Sequence, residues 1–335
     1  MRCQALVGTA LSSSAVGLGT WGLAGPNTIG AITMGWKPVA RSLQEATVKA
    51  AVEAGIGFFD TADIYGRGGA EDLLGTLLPG LASDAIVETK VGLLPVTTED
   101  GSDIRRTYSP EHIARSLDAS LRRLRRPQVD LYLLHGPPLE VLRRGEVWEA
   151  LERAVVAGKV RHAGVSLSSG FASEALDLVL QVPLVRVVQL KYSLAHPNAA
   201  EHARRAADAG RAVVARVPFG HGVLLGKYAD RSVFAAEDHR RRRLSDDWIA
   251  RASRFRGQLL EALPERAVNP VEIPLLWLLG DPAVSVTLCG ATDPSQIRSI
   301  AEAARRTPLS DYERGMVERI AEECFTSDRV SPASA

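Results

Sequence analysis

Two periods of apolar and polar residues alternate along the 335-residue chain. Short runs rich in Val, Leu, Ile and Phe, apolar on both faces and closed by a polar residue, are separated by amphipathic stretches of roughly ten to sixteen residues. The runs predict strands at 15–19, 57–60, 85–90, 129–134, 160–166, 185–190, 212–217 and 284–288. The amphipathic stretches predict helices at 42–54, 69–78, 109–124, 145–157, 172–181, 199–209, 273–279 and 295–305. Strands apolar on both faces suit a parallel sheet covered by helices. Eight such βα units in series predict an α/β fold, a (β/α)8 TIM barrel forming one domain over 1–335. A short N-terminal hairpin, extra helices at 245–262 and 310–323 and a flexible C-terminal tail at 326–335 complete the expected architecture.

Local signals agree with this division. Ser109-Pro110-Glu111 is a helix start, because Ser caps a free N–H and Pro at the first helical position lacks the N–H that has no partner there. Gly55, Gly158 and Gly210 stand where three helices need a left-handed residue before the next strand.

Charge removes several function classes. Forty Lys+Arg against 39 Asp+Glu leave a net charge of +1, with no field of one sign to hold nucleic acid or an anionic membrane. No run reaches the roughly 18 apolar residues of a membrane span, and the opening Met1-Arg2 stretch is broken by Gly8, Ser12, Ser13 and Ser14 rather than forming a signal-peptide core. Cys3, Cys289 and Cys324 are odd in number and widely spaced, which predicts neither a disulfide framework nor a structural metal, and a cytoplasmic protein. The run Arg240-Arg241-Arg242-Arg243 reads as a solvated loop or the start of a helix.

Two glycine motifs fail their context. Gly17-Leu18-Gly19-Thr20-Trp21-Gly22 matches the dinucleotide fingerprint GxGxxG, but Leu23-Ala24-Gly25-Pro26-Asn27 cannot continue the helix that fingerprint must open. Gly222 to Tyr228 lacks the spacing and the Ser/Thr of a phosphate-binding loop. Both are read as barrel connections.

In a barrel, chemistry is built where strands end at the C-terminal rim. Asp60 closes the second strand, Tyr65 follows in the same loop, Lys90 closes the third strand and His135 the fourth. A tyrosine, with an ordinary pKa of about 10, is a poor proton donor near neutrality, and a neighbouring ammonium such as Lys90 lowers that value by stabilising the phenolate. A carboxylate at Asp60 holds the Lys90 charge in place, and His135 orients a substrate oxygen or shares in the proton transfer. This set suits reduction of a carbonyl, where a proton must reach the developing alkoxide. Side chains supply no hydride, so a cofactor is required.

The residues then resemble the aldo-keto reductase family over nearly the whole chain. The resemblance rests on Gly55-Ile-Gly-Phe-Phe-Asp60-Thr-Ala-Asp-Ile-Tyr65-Gly66, Glu88-Thr-Lys90-Val-Gly92, Asp130-Leu-Tyr-Leu-Leu-His135, Gly158 to Ser166, and Pro218 to Tyr228. It implies a reductase of aldehydes or ketones with Tyr65 as general acid, Lys90 and Asp60 as its tuning partners, and His135 orienting the carbonyl. It also implies NADPH, with NADH as the alternative form. Ser166 and Gln189 match positions at the carboxamide end, and Gly19, Thr20 and Trp21 match the strand exit beside the nicotinamide and substrate. Arg216 stands where many members place a stacking aromatic. Gly290, Thr292 and Gln296 surround a helix start where the adenosine phosphate is expected. Two departures appear: Leu167 replaces the usual Asn, and Ser299-Ile300 replaces the usual Glu-Asn pair.

Two other readings use the same residues. Voltage-gated potassium channel beta subunits resemble the family and keep much of the site, which allows a non-catalytic module that binds the cofactor. Lys90 could instead act as the Schiff-base nucleophile of a barrel aldolase. The identity of the small-molecule carbonyl substrate and the oligomeric state are not encoded in any motif; substrate choice is assigned to the variable loops at 93–108, 223–247 and the tail after Phe325.

Overall fold

In the computed structural model, residues 1–29, 32–98, 101–235 and 238–325 are described. The expected flexible tail at 326–335 lies outside them. Eight strands close a parallel barrel: β1 (Val16–Gly19), β2 (Phe58–Asp60), β3 (Ile86–Val91), β4 (Val129–His135), β5 (Val160–Ser166), β6 (Val185–Lys191), β7 (Ala212–Arg216) and β8 (Val286–Gly290). Their order round the barrel is the order of the chain, and β8 pairs back onto β1. Each strand is followed by at least one helix, so every crossover covers the outer face of the sheet.

The helices form where the sequence signals them. In Pro110–Leu124, Ile113, Leu117, Leu121 and Leu124 recur every three to four residues and are buried, while Ser109 Oγ accepts from His112 N at 3.2 Å at the N-terminus. Helix Glu272–Leu279 is apolar on all sides and buried, with helix Pro294–Ala304 packed on it; the last helix, Asp311–Phe325, is tied to it where Trp277 Nε1 donates to Glu318 Oε1 at 2.8 Å. Among the described residues no helix is long and apolar enough to cross a membrane.

Inside, side chains that alternate along the strands stack in layers. The lower layers are apolar, with Phe58, Ile86, Leu131, Leu133, Val214 and Val286 in one cluster. The N-terminal hairpin, Cys3–Ala5 with Ser12–Ser14, adds Leu6 to this cluster from below. Full burial of that one leucine is worth about 2–3 kcal/mol. Gly17 keeps the interior open at β1, since a Cβ there would lie 2.9 Å from the Phe58 ring and 2.8 Å from Leu288.

Register then brings the polar strand ends together at one rim. Gly19 pairs with Asp60, His135 with Ser166, Ser166 with Gln189, Lys191 with Arg216, and Gly290 with Gly19. An apolar plug beneath a polar ring makes the upper layer the place where charge is concentrated.

Three expectations change. The eighth strand begins at Val286 rather than at 284, because Thr287 must align with Val16, and Ser285 precedes it by donating its N–H to Val213 O at 2.8 Å. The stretch read as a loop at 93–108 is an antiparallel hairpin, Leu93–Thr98 with Gly101–Arg106; Pro95 argues against a central strand but is tolerated in a two-stranded ribbon. The arginine run is a short helix, Arg240–Arg243, and its first member is buried rather than solvated. Arg240 forms an ion pair with Asp238, donates to Tyr228 Oη at 3.0 Å, and lies over Trp36 with 4.4 Å to the ring centroid. These contacts compensate a charge that burial alone would penalise.

Candidate active site

Asp60, Tyr65, Lys90 and His135 converge at the C-terminal rim. Lys90 is fully buried and forms an ion pair with Asp60 Oδ1. Its ammonium also donates to Thr61 O at 2.8 Å and to Tyr65 Oη at 3.1 Å, so all three of its N–H groups are used. Tyr65 is delivered by a short 3-10 turn, Tyr65–Gly68, in which Gly66 and Arg67 both take positive φ, turning the chain sharply after β2. The Trp21 ring packs edge-on against Tyr65 with centroids 4.9 Å apart, and the His135 ring stands 5.8 Å from it on another side.

Tyr108 ties the hairpin at 93–106 to this rim: its hydroxyl donates to His135 O at 2.7 Å and its ring lies over Gly92. A Cβ at Gly92 would come within 2.0 Å of that ring, and φ there is +123°. Only glycine fits this crossing.

The electrostatics correct one expectation and support another. Burial pulls the Lys90 ammonium towards neutrality, but Asp60, Tyr65 and Glu88 more than reverse it, so Lys90 titrates above its ordinary value and stays charged. Tyr65 was expected to be more acidic than a free phenol. Instead burial raises its pKa, Lys90 pulls it down, Asp60 pushes it up again, and the balance lies above 10. The phenol is therefore protonated near neutrality. His135 is held neutral, by burial first and then by Lys90, Arg216 and Arg106. Its Nδ1 is sealed from solvent and has no partner among the described residues.

The residues matched to a cofactor divide into two groups. At the rim, Ser166 Oγ donates to Gln189 Oε1 at 2.7 Å, and the Gln189 amide nitrogen donates to Asp60 Oδ1 at 3.0 Å and to Glu88 Oε1. Gln189 thus serves two carboxyl groups, and its oxygen keeps one lone pair for another donor. Thr20 Oγ1 donates to Asp60 O at 2.9 Å, and Arg216 Nη2 to Leu167 O at 2.9 Å, so the backbone of the residue that replaces Asn fixes the guanidinium. At the far side, Gln296 Oε1 accepts from Thr292 N at 2.9 Å, while Asp293 Oδ1 accepts from Ser295 N at 2.9 Å and Gln296 N at 3.2 Å. A carboxylate from the chain itself already occupies that helix start beside Gly290, which weakens its pull on a second anion.

Several residues were not singled out from the sequence. Glu88 and Asp63 are carboxyl groups drawn into the site, Lys191 follows Gln189 at the end of β6, and Arg243 and His239 come from the segment after β7. The Lys191 ammonium is pushed down to about 8, by burial and then by the like charges of Arg216 and Arg243. Three basic side chains near one another give a local positive charge that a net charge of +1 conceals. His239 Nδ1 faces Gly35 O at 2.7 Å and its ring packs 5.6 Å from Trp21, joining this segment to the site. Among the described residues no group of His, Cys, Asp or Glu could hold a metal ion, and Cys3, Cys289 and Cys324 are free thiols.

With the closed barrel and its polar rim described, comparison with known proteins gives the family. A model of the Aldo/keto reductase family matches residues 15–322, and the chain belongs to that family. It is 27% identical over 345 residues to the aldo-keto reductase YhdN of Bacillus subtilis, covering 99% of this chain and 97% of that protein. It is 28% identical over 285 residues to a probable voltage-gated potassium channel subunit beta of Oryza sativa, covering 79% and 83% of the two chains. The structure of a glycerol dehydrogenase from Gluconobacter oxydans superposes with a TM-score of 0.80 at 24% identity, over 99% of this chain and 98% of that one, and supports the barrel fold.

Proposed function

We propose that the protein reduces an aldehyde or ketone to an alcohol with a nicotinamide cofactor. The observation that carries this reading is the Tyr65 hydroxyl held 3.1 Å from the ammonium of a lysine that is itself ion-paired with Asp60. The residues present suit the cofactor: a polar ring of Gly19, Thr20, Ser166 and Gln189 at its carboxamide end, the flat Arg216 guanidinium beside it, and Lys191, Arg216 and Arg243 for its diphosphate. NADPH is the form implied by the family; Asp293 at the adenosine end makes NADH the form to compare with it.

A nicotinamide cofactor held there in its reduced form would supply the hydride. Tyr65 gives its proton to the substrate oxygen, and the phenolate left behind is stabilised by Lys90, whose own charge Asp60 maintains. Neutral His135 donates a hydrogen bond to the same oxygen and fixes its position. Asp60 and Lys90 act through Tyr65 without needing to meet the substrate.

Cofactor oxidation in the presence of a panel of aldehydes and ketones tests the reading. Consumption of the cofactor with formation of the alcohol is expected. Bound cofactor with a flat trace supports the channel-subunit alternative, and a borohydride-trapped imine on Lys90 supports the aldolase.

Cofactor binding should also depend on pH. Lys191 is charged below about 8 and loses its proton above it, so affinity for the anionic cofactor should weaken as pH rises through that value. Lys191→Met should bind about tenfold more weakly at neutral pH and show little change across the same range, measured by fluorescence titration. Equal pH dependence in both proteins contradicts the assignment.

A further inference from the structure

Glu88 does not belong to the apolar layer of the barrel in which it stands. It is fully buried two residues before Lys90, so both side chains leave β3 on the interior face. Its carboxyl group has two neighbours. The Gln189 amide donates to Glu88 Oε1 and at the same time to Asp60 Oδ1, which sets the two acids side by side. Glu88 Oε2 is sealed from solvent and has no partner among the described residues. Two ionised carboxylates buried around one amide group repel each other strongly, so one of the pair carries a proton. Asp60 is ion-paired with Lys90, whereas Glu88 has no such bond, which places the proton on Glu88.

We propose that Glu88 is a positioning residue for the proton donor: as an uncharged carboxylic acid it donates a hydrogen bond to the Asp60 carboxylate, fixing Asp60 against Lys90 and Lys90 against Tyr65. The inference rests on the reductase reading given above. Burial first, and the neighbouring Asp60 charge second, push the Glu88 carboxyl well above the usual carboxylate range, in agreement with the geometry. The role follows from charge balance. With Glu88 neutral, Lys90 faces one anion and keeps part of its field for the Tyr65 phenolate; with Glu88 ionised, Lys90 is opposed by two anions and that field is cancelled. The acid supplies a donor to Asp60 without adding a charge.

Glu88→Gln and Glu88→Leu separate these possibilities, measured in the full-length protein with saturating cofactor and an aldehyde the wild type reduces. Glutamine is neutral and keeps a donor, so its single-turnover rate should stay within about threefold of wild type. Leucine removes the donor, and its rate should fall at least about tenfold while the cofactor Kd stays within about twofold. The infrared spectrum supplies a readout independent of turnover: the carbonyl stretch of a protonated carboxylic acid should be present in the wild type at neutral pH and reduced by one group in Glu88→Gln. A glutamine variant as slow as the leucine variant, a leucine variant at the wild-type rate, or an unchanged infrared band overturns the proposal. Should Glu88→Leu fail to fold, the glutamine rate and the infrared band still decide it. A wild type that binds cofactor and reduces no carbonyl refutes the reductase reading instead, and leaves the infrared result to judge the protonation of Glu88.

Discussion

Tyr65→Phe is expected to lower carbonyl reduction by about 10²–10⁴, with cofactor affinity unchanged. Phenylalanine keeps the ring that packs edge-on against Trp21 and stands beside His135, so the walls of the site remain. Only the hydroxyl is lost, and with it the single proton donor placed on the Lys90 ammonium. Because Tyr65 is protonated throughout the working range, the wild-type rate of reduction should show no alkaline loss attributable to this residue below about pH 10. Steady-state rates paired with fluorescence titration of the cofactor separate loss of chemistry from loss of binding. A fall in binding that matches the fall in rate contradicts the assigned role.

Lys90→Met should have the second large effect, and it acts on two quantities. Removing the ammonium leaves the buried Asp60 carboxylate without its ion-pair partner, and breaking such a pair costs on the order of 3–5 kcal/mol. It also removes the cation that stabilises the Tyr65 phenolate, so turnover should fall about as far as in Tyr65→Phe. The double change Asp60→Asn with Lys90→Met should recover much of the stability, since no unpaired charge remains, and none of the activity. Thermal unfolding and steady-state rates on the three proteins check this. If the double variant regains turnover, Lys90 has only a structural part.

The barrel and its rim were legible because both rest on local rules. Strand interiors such as Val129–His135 are largely apolar runs that end in a polar residue, and those ends meet at one rim. Features set by distant partners were not legible. Arg240 looked solvated among four arginines, and only Asp238, Trp36 and Tyr228 folding round it explain its burial. Glu88 stood only as one residue of the motif around Lys90; the role proposed for it comes from Gln189 and Asp60, which are 101 and 28 positions away in sequence but gathered round one amide group in space. The expected acidity of Tyr65 erred for a related reason. The attraction to Lys90 was foreseen, but burial beneath Trp21 and the opposing charge of Asp60 outweigh it. Lys191 and Arg243 gather from separate elements into a basic mouth that whole-chain charge averages away.

The central claim is that Tyr65 and His135 together meet the oxygen of a carbonyl substrate. A crystal structure with oxidised cofactor and an unreactive carbonyl or carboxylate inhibitor tests it most directly. The inhibitor oxygen is predicted to lie within hydrogen-bonding distance of both the Tyr65 hydroxyl and the His135 ring, with the Lys90 ammonium still on the phenol. An inhibitor bound beside the cofactor with its oxygen directed away from both side chains contradicts the account.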